Sequence, residues 1–318
     1  MTPSVQSARV AVPASTSNLG PGFDCLGLAL SLHLEVRVLG AAPGAEHAFS
    51  RREGHAADWP SAENRFLAGF DAAREAGGGG PACTFAARSE IPVGRGFGST
   101  GSAIAAGLLL GAALSEAPPD LARLHALGVA LEGHPDNVTA SLFGGLTLCH
   151  PSADAGRPLV CREAVSPRLR FVLAWSEQSS STREARRVLP EKVPFADAVE
   201  NPRRLALLLA GLRTARRDWI AAGVEDRLHV PYRLGAITGG ARALEAAAEA
   251  GAWGATISGA GSGLIAIAPE EEAPRVAEAM RSALAEEVRG AEALVTHAVG
   301  EAPRVRMGAA GNGAQDGA

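Results

Sequence analysis

Between Ile91 and Leu114 the sequence reads IPVGRGFGSTGSAIAAGLLLGAAL, a glycine-rich turn running directly into an apolar stretch. Glycines at 94, 96, 98 and 101 let main chain approach a ligand where a Cβ would collide, and Ser99, Thr100 and Ser102 stand where a helix begins. The first turn of a helix leaves N–H groups without intrahelical partners and carries partial positive charge, so the chemistry expected here is capture of a phosphate. Arg95 adds a full positive charge to the loop. Gly96, Gly98 and Gly101 also spell G-x-G-x-x-G, the fingerprint of an NAD(P)-dependent oxidoreductase. Against that reading, the string lies in mid-chain, Pro92 interrupts the strand before it, and no acidic residue follows about 20 positions on after a second clear strand. A Walker A loop needs a lysine after its last glycine, and the only lysine in the chain is Lys192.

A second polar run, Glu132-Gly133-His134-Pro135-Asp136-Asn137, closes the following helix. A carboxylate at a helix C-terminus faces the negative end of the dipole, at a cost on the order of 0.3–1 kcal/mol. A divalent cation beside Glu132 would offset this; a solvated glutamate next to a glycine C-cap is the other reading of the same spacing. His134, Asp136 and Asn137 crowd hydrogen-bonding groups around a proline turn, as a site or as a polar structural turn. Upstream, the ASTSNLGPGFD stretch offers the amide of Asn18 and the carboxylate of Asp24 beside Gly20 and Gly22, and Asx-turns suit both residues equally. A second glycine-rich turn, Ile257 to Gly263, fits a hairpin or, together with the first, closure around one polyphosphate.

The elements that must position these groups follow from periodicity. Ala8 to Val12 reads as a strand stopping at Pro13, Leu32 to Val38 as a half-buried strand, Asn64 to Ala76 as a helix with Phe66 and Phe70 on its core face, and Cys83 to Ile91 as the strand entering the glycine loop. Ala103 to Leu114 is apolar on all sides, with Gly107 and Gly111 forming a smooth stripe, and so predicts a buried helix. Asp120 is the expected N-cap of the next helix, and Gly145 to Cys149 the next strand. Beyond a boundary near Ser166-Pro167 come a strand at Leu169 to Trp175, helices at Arg183 to Leu189, Asn201 to Ala222 and Leu234 to Ala250, strands at Gly254 to Ser258 and Leu264 to Ala268, a helix at Glu271 to Val288 and a strand at Ala293 to Val299. With its first helices taken as one layer, this half reads βαββαβ. The expected organisation is an α+β protein of two domains, 1–166 and 167–303, with a disordered tail at 304–318.

The 318 residues, 47% of them hydrophobic, suffice for two domains with a sizeable core. A net charge of −4 and a pI near 6.1 provide no general attraction to nucleic acid or anionic membranes, so any phosphate must be held locally. The four cysteines are far apart, without the close pairing of a zinc or redox motif, and are expected to be reduced. No apolar run follows a basic patch at the N-terminus and no segment reaches membrane-spanning length; the expected setting is cytoplasmic.

Taken together and in this order, the PASTSNLGPGFD loop, the stretch from Pro92 to Ser102, EGHPDN at 132–137 and ISGAG at 257–261 resemble the GHMP small-molecule kinases, over nearly the whole chain. The first and third motifs are similar to the branch that phosphorylates L-homoserine. The resemblance implies an N-terminal domain like ribosomal protein S5 domain 2 and a ferredoxin-like C-terminal domain. It implies ATP bound by Pro92, Val93, Gly94, Arg95, Gly96, Phe97, Gly98, Ser99, Thr100, Gly101 and Ser102, with Asn64 near the adenine and Mg²⁺ on Thr100 and Glu132. Asn18, Asp24, His134, Asp136 and Asn137 would grip the substrate, Arg186 and Arg233 its carboxylate, and Asn137, Thr182 and Arg186 would act in catalysis, without a dedicated aspartate base. A homodimer is implied as well. This chain has Thr100 where the second loop serine is usual, Phe97 where leucine is common, and Ser262-Gly263 where proline and threonine or serine are usual. A mevalonate-type acceptor is the alternative within the family.

Overall fold

The computed structural model describes residues 5–60, 63–150, 158–178 and 182–308. Its first sheet has seven strands. In the first half of the chain the elements are β1 (Ala8–Asn18), β2 (Gly22–Ala41), β3 (Ala48–Gly54), α1 (Arg65–Ala76), β4 (Cys83–Ser89), α2 (Ser99–Ala113), α3 (Leu121–Glu132), α4 (Asp136–Phe143), β5 (Leu146–His150) and β6 (Leu159–Glu163). The second half contributes β7 (Leu169–Trp175), α5 (Thr182–Arg187), α6 (Phe195–Thr214), α7 (Arg217–Gly223), α8 (Val230–Arg233), α9 (Gly240–Glu249), β8 (Gly254–Ile257), β9 (Leu264–Pro269), α10 (Ala273–Ala285), β10 (Glu292–Thr296) and β11 (Arg306–Met307).

Alternation dictates the faces of the first sheet. In β1, Ala8, Val10 and Val12 are buried while Arg9 and Ala11 are exposed, and in β2 Leu32, Leu34, Val36 and Val38 are buried between polar neighbours. The helices cover the apolar face. The strand order is β11-β1-β2-β4-β3, with β5 joining β2 to β6, and α1 is the crossover between the parallel pair β3 and β4. Helix α2 is buried nearly all round, as its sequence requires, and its glycines permit the approach of α1. A Cβ on Gly107 would lie 2.1 Å from the carbonyl oxygen of Phe66, and one on Gly69 of α1 would lie 2.4 Å from that of Ile104. Phe66 and Phe70 meet Phe85 in edge contacts at 4.9 and 5.0 Å, inside the core.

The second sheet runs β10-β7-β9-β8, antiparallel throughout, which is the expected βαββαβ arrangement. Helices α9 and α10 pack on it through Ala243, Ala247, Val276 and Met280. Its other face, through Phe171, Leu173 and Ile265, belongs to the core of the first sheet, so the two sheets sandwich a shared apolar layer.

Four expectations change. Strand β1 passes through Pro13, because β2 shifts register opposite Pro13 and Ala14 and the ladder does not need the missing N–H. The long helix expected at 201–222 is two, broken where Ala215 takes φ 51°, and the first of them starts upstream of Pro202. The helix expected at 234–250 begins at Gly240, after a short 3-10 turn over Leu234–Ala236. Residues 306–307, within the expected tail, return to the first sheet: β11 pairs with β1, and upstream of it Val299 donates its N–H to the Ala29 carbonyl and accepts the Gly145 N–H. The rest of that tail, from 309, lies outside the described residues. No helix among them is long and apolar enough to cross a membrane.

Candidate active site

The glycine loop is shaped from behind. The carbonyl of Gly94 accepts from the Ser262 hydroxyl at 3.1 Å, that of Gly96 from the Ser258 hydroxyl at 2.7 Å, and that of Phe97 from the Ser15 N–H at 3.1 Å. With its carbonyls held to the rear, the loop presents its main chain to a cavity of about 310 Å³ at the start of α2. Gly94, Gly96 and Gly98 have φ of 69°, 77° and 72°, where a side chain is strained, and a Cβ on Gly96 would lie 2.2 Å from the Ser258 carbonyl oxygen. The second glycine-rich turn thus braces the first, and Ser262, where the chain departs from the family's usual residues, supplies one of the braces.

Across the cavity, α3 ends and α4 begins. Gly133 closes α3 in a left-handed conformation, φ 85°. The Glu132 carboxylate then accepts the Val138 N–H at 2.8 Å in the first turn of α4. This answers part of the question its position raised, since the negative end of one helix is offset by the positive end of the next. Its other oxygen, Oε1, presses on the first turn of α2, where a Cβ on Gly101 would stand 2.9 Å away. Asp136 accepts from the Asn137 N–H and pairs with His134 Nδ1, both at 2.7 Å. The Asn137 carboxamide is locked: its oxygen accepts from the Ser15 hydroxyl at 3.0 Å and its nitrogen donates to the Ser17 hydroxyl at 3.1 Å.

Burial pushes the Glu132 carboxyl up to about 8. Burial alone would lower His134, but its hydrogen bond to Asp136 and the charges of Asp136 and Glu132 raise it to about 9. Both folded values lie above the unfolded ones of 4.5 and 6.5, so each group contributes stability that is present below its unfolded pKa and lost as the pH rises through the folded one. Below about pH 6.5 the buried His125, lowered to about 4, and His229, also lowered by burial, act in the opposite sense. The ligand-free protein should therefore melt at progressively lower temperature from about pH 7 to about pH 9, and Glu132→Gln should flatten the lower part of that slope. Melting curves in a pH series check this; a wild-type midpoint that rises over this range would contradict it.

The third wall is cationic. Arg186 donates to both oxygens of Asp24, at 2.8 and 2.6 Å, in a bidentate pair. Its guanidinium and that of Arg233 stand 5.4 and 5.1 Å from the Phe23 ring. Arg233 is held by the Ala185 carbonyl at 3.0 Å, and burial followed by the nearby Arg186 charge lowers its pKa. Asn18 ties this corner together, donating to the Gly259 carbonyl at 2.9 Å and accepting the Asp24 N–H at 3.0 Å.

Asn18, Asp24, Gly94, Gly96, Gly98, Ser99, Thr100, Glu132, His134, Asp136, Asn137, Thr182, Arg186 and Arg233 all line the one cavity. Asn64 and Val93 lie in an adjoining recess of about 270 Å³ with Trp59 and Pro60, separated from the cavity by Arg65, Ser99 and Thr100, which line both. The Asn64 oxygen caps α1 through the Phe66 and Leu67 N–H groups, leaving its amide nitrogen for a ligand. Arg95 does not face the site: it turns back to the Glu177 carbonyl at 2.8 Å and lines a separate hollow with Pro92. Phe97 is core, edge-on to Trp175, and Ser102 is spent on the Pro13 carbonyl. Sequence reasoning missed Ser15 and Ser17, whose i, i+2 spacing in a strand was the available signal, and Arg65 and Phe23. Ser179–Ser181, just before Thr182, lie outside the described residues. No cluster of three or more His, Cys, Asp or Glu side chains suited to a metal occurs among the described residues, so a cation here would rest on few protein oxygens.

A loop of main-chain amides at a helix start, with a base-sized recess on one side and a charge-lined chamber on the other, is the arrangement of a small-molecule kinase. Comparison with known proteins agrees. The sequence pattern of the GHMP kinases N terminal domain matches residues 64–145, and that of the GHMP kinases C terminal domain matches 237–286. Homoserine kinase of Synechococcus sp. (strain CC9605) is 42% identical over 280 residues, covering 86% of this chain and 88% of the relative. That of Prochlorococcus marinus (strain MIT 9303) is 42% identical over 280 residues with the same coverage. The crystal structure of homoserine kinase from Cytophaga hutchinsonii ATCC 33406 superposes with a TM-score of 0.81 at 25% identity, covering 95% of this chain and 98% of that one. The chain belongs to the GHMP kinase family.

Proposed function

We propose that the protein is a homoserine kinase, transferring the γ-phosphoryl group of ATP to the side-chain hydroxyl of L-homoserine to give O-phospho-L-homoserine for threonine synthesis. The carrying observation is the combination, in one cavity, of the amide loop with a paired carboxylate and guanidinium, Asp24 and Arg186, suited to the two charges of an amino acid. A mevalonate-type acceptor has a carboxylate but no ammonium to meet Asp24.

In this reading the first domain, 1–166, holds the nucleotide, with its base in the recess of Asn64 and Trp59 and its phosphates on the loop amides from Gly94 to Thr100. The second, 167–303, supplies Thr182, Arg186 and Arg233 to the acceptor. The Thr100 hydroxyl and the Glu132 carboxylate fit Mg²⁺, which takes one or two protein oxygens alongside phosphate and water. A bound cation would neutralise charge on the phosphates and favour the ionised form of the buried Glu132. Phosphoryl transfer depends mainly on alignment and charge neutralisation. Asn137, fixed by Ser15 and Ser17, and Thr182 orient the acceptor hydroxyl. Asp136 is occupied by His134 and the Asn137 N–H, which supports a reaction without a dedicated aspartate base. A cytoplasmic homodimer accords with the family resemblance.

ADP release measured with L-homoserine, mevalonate and no acceptor tests the assignment. L-Homoserine should support turnover at least about a hundredfold above mevalonate, the discrimination expected of a site built to pair a group that the analogue lacks. Faster turnover with mevalonate would overturn it.

A further inference from the structure

The outer face of the first sheet carries a second cleft, of about 520 Å³, which shares no lining residue with the cavity at the glycine loop. It is built from three separate parts of the chain: β1, β2, and the segment 299–306 that returns from the second domain. The register sets Arg306 of β11 opposite Arg9 of β1, and Arg9 opposite Arg37 of β2. All three are exposed and flanked by buried neighbours in β1 and β2, so three arginines stand in one row across three adjacent strands on one face. Arg304 adds a fourth to the lining of the cleft, which also holds two carboxylates, Glu35 and Glu301.

Like charges placed directly opposite each other destabilise a sheet. Neither the three arginines of the row nor Arg304 makes an ion pair with any of the described residues. The surplus is positive, on a chain whose net charge is −4. Neighbouring strands lie ~4.8 Å apart, so the row spans roughly 10 Å at the backbone, a reach that suits two or more linked anionic groups rather than one. No Phe, Tyr or Trp lines the cleft, and the imidazole of His33 is its one ring beside Pro13, Val36 and Pro303.

We propose that this cleft binds a small polyanion carrying two or more phosphate or carboxylate groups, at a site distinct from the candidate active site. The full chain, its glycine loop saturated with ADP in metal-free buffer, would be titrated calorimetrically with pyrophosphate and, separately, with citrate. We expect one further equivalent of binding that weakens as salt is raised, with pyrophosphate alone marking a phosphate ligand and citrate alone a carboxylate one. Arg9→Ser/Arg306→Ser should weaken that binding at least about tenfold while leaving homoserine-dependent ADP release unchanged. The same variant should melt above the wild type without anion, because it relieves the aligned charges, and should not be further stabilised by pyrophosphate. Should the double variant fail to fold, Arg304→Ser, outside the strands, carries the titration. Absence of binding by both anions at millimolar concentration, equal binding by the variants, or a variant that merely splits a dimer in sedimentation would overturn the proposal.

Discussion

Asn137→Ala should lower kcat by about 10²–10³ while leaving the KM for ATP within about threefold, the pattern of a group that acts on the reacting atoms rather than on nucleotide binding. The size follows from how the side chain is held. Its carboxamide is clamped between Ser15 and Ser17, its N–H is taken by Asp136, and it stands against Gly101 at the start of α2. It thus costs little reorganisation at the moment of transfer, and nothing else in the cavity is fixed at that place by two hydroxyls. Steady-state kinetics with each substrate varied in turn decides the matter. A kcat within a factor of about three of wild type would remove Asn137 from the chemistry. Ser15→Ala and Ser17→Ala should reproduce part of the loss by freeing the carboxamide.

Arg186→Ala should raise the KM for L-homoserine by about 10²–10³ with the KM for ATP little changed, since truncating one member of a hydrogen-bonded charge pair costs about 2–5 kcal/mol. Without substrate, Arg186 and Asp24 satisfy each other through two hydrogen bonds. A zwitterionic acceptor can exchange partners with this pair, its carboxylate taking Arg186 and its ammonium taking Asp24. An acceptor with only a carboxylate would separate the pair and leave Asp24 uncompensated on a wall with Phe23 and the buried Arg233. Asp24→Asn should therefore lose less activity than Arg186→Ala and should narrow the gap between L-homoserine and acceptors lacking the ammonium. An unchanged KM for L-homoserine in Arg186→Ala would show that the carboxylate is held elsewhere.

Much of this site is visible in the sequence because glycine and helix-terminal residues report local backbone needs. The left-handed glycines at 94, 96 and 98, the Asp120 cap and the Gly133 terminus all act within one turn of where they stand. The βαββαβ half was legible for a similar reason, since period and turn spacing are local. What could not be read depends on contacts between distant segments. Arg95 has the charge to hold phosphate, but the Glu177 carbonyl, from the other sheet, draws it to the rear. Ser15 and Ser17 read as loop residues because Pro13 reads as a strand end, and only the register shift in β2 lets the strand continue. Glu132 reads in the sequence against its own helix dipole, while the Val138 N–H that donates to it belongs to α4, a helix that periodicity does not reveal. Short strands such as β3 and β6 carry too few alternating residues to stand out from the surrounding turns.

The pairing of β11 with β1 bears on how the chain is made. Residues 306–307 leave the ribosome after the whole of the second sheet, so the outer edge of β1 stays bare through most of synthesis. An unpaired edge can template pairing with another chain. The nascent protein thus depends on a segment made after the second sheet to seal its first strand, and the nucleotide half reaches its finished form only when the acceptor half is already present.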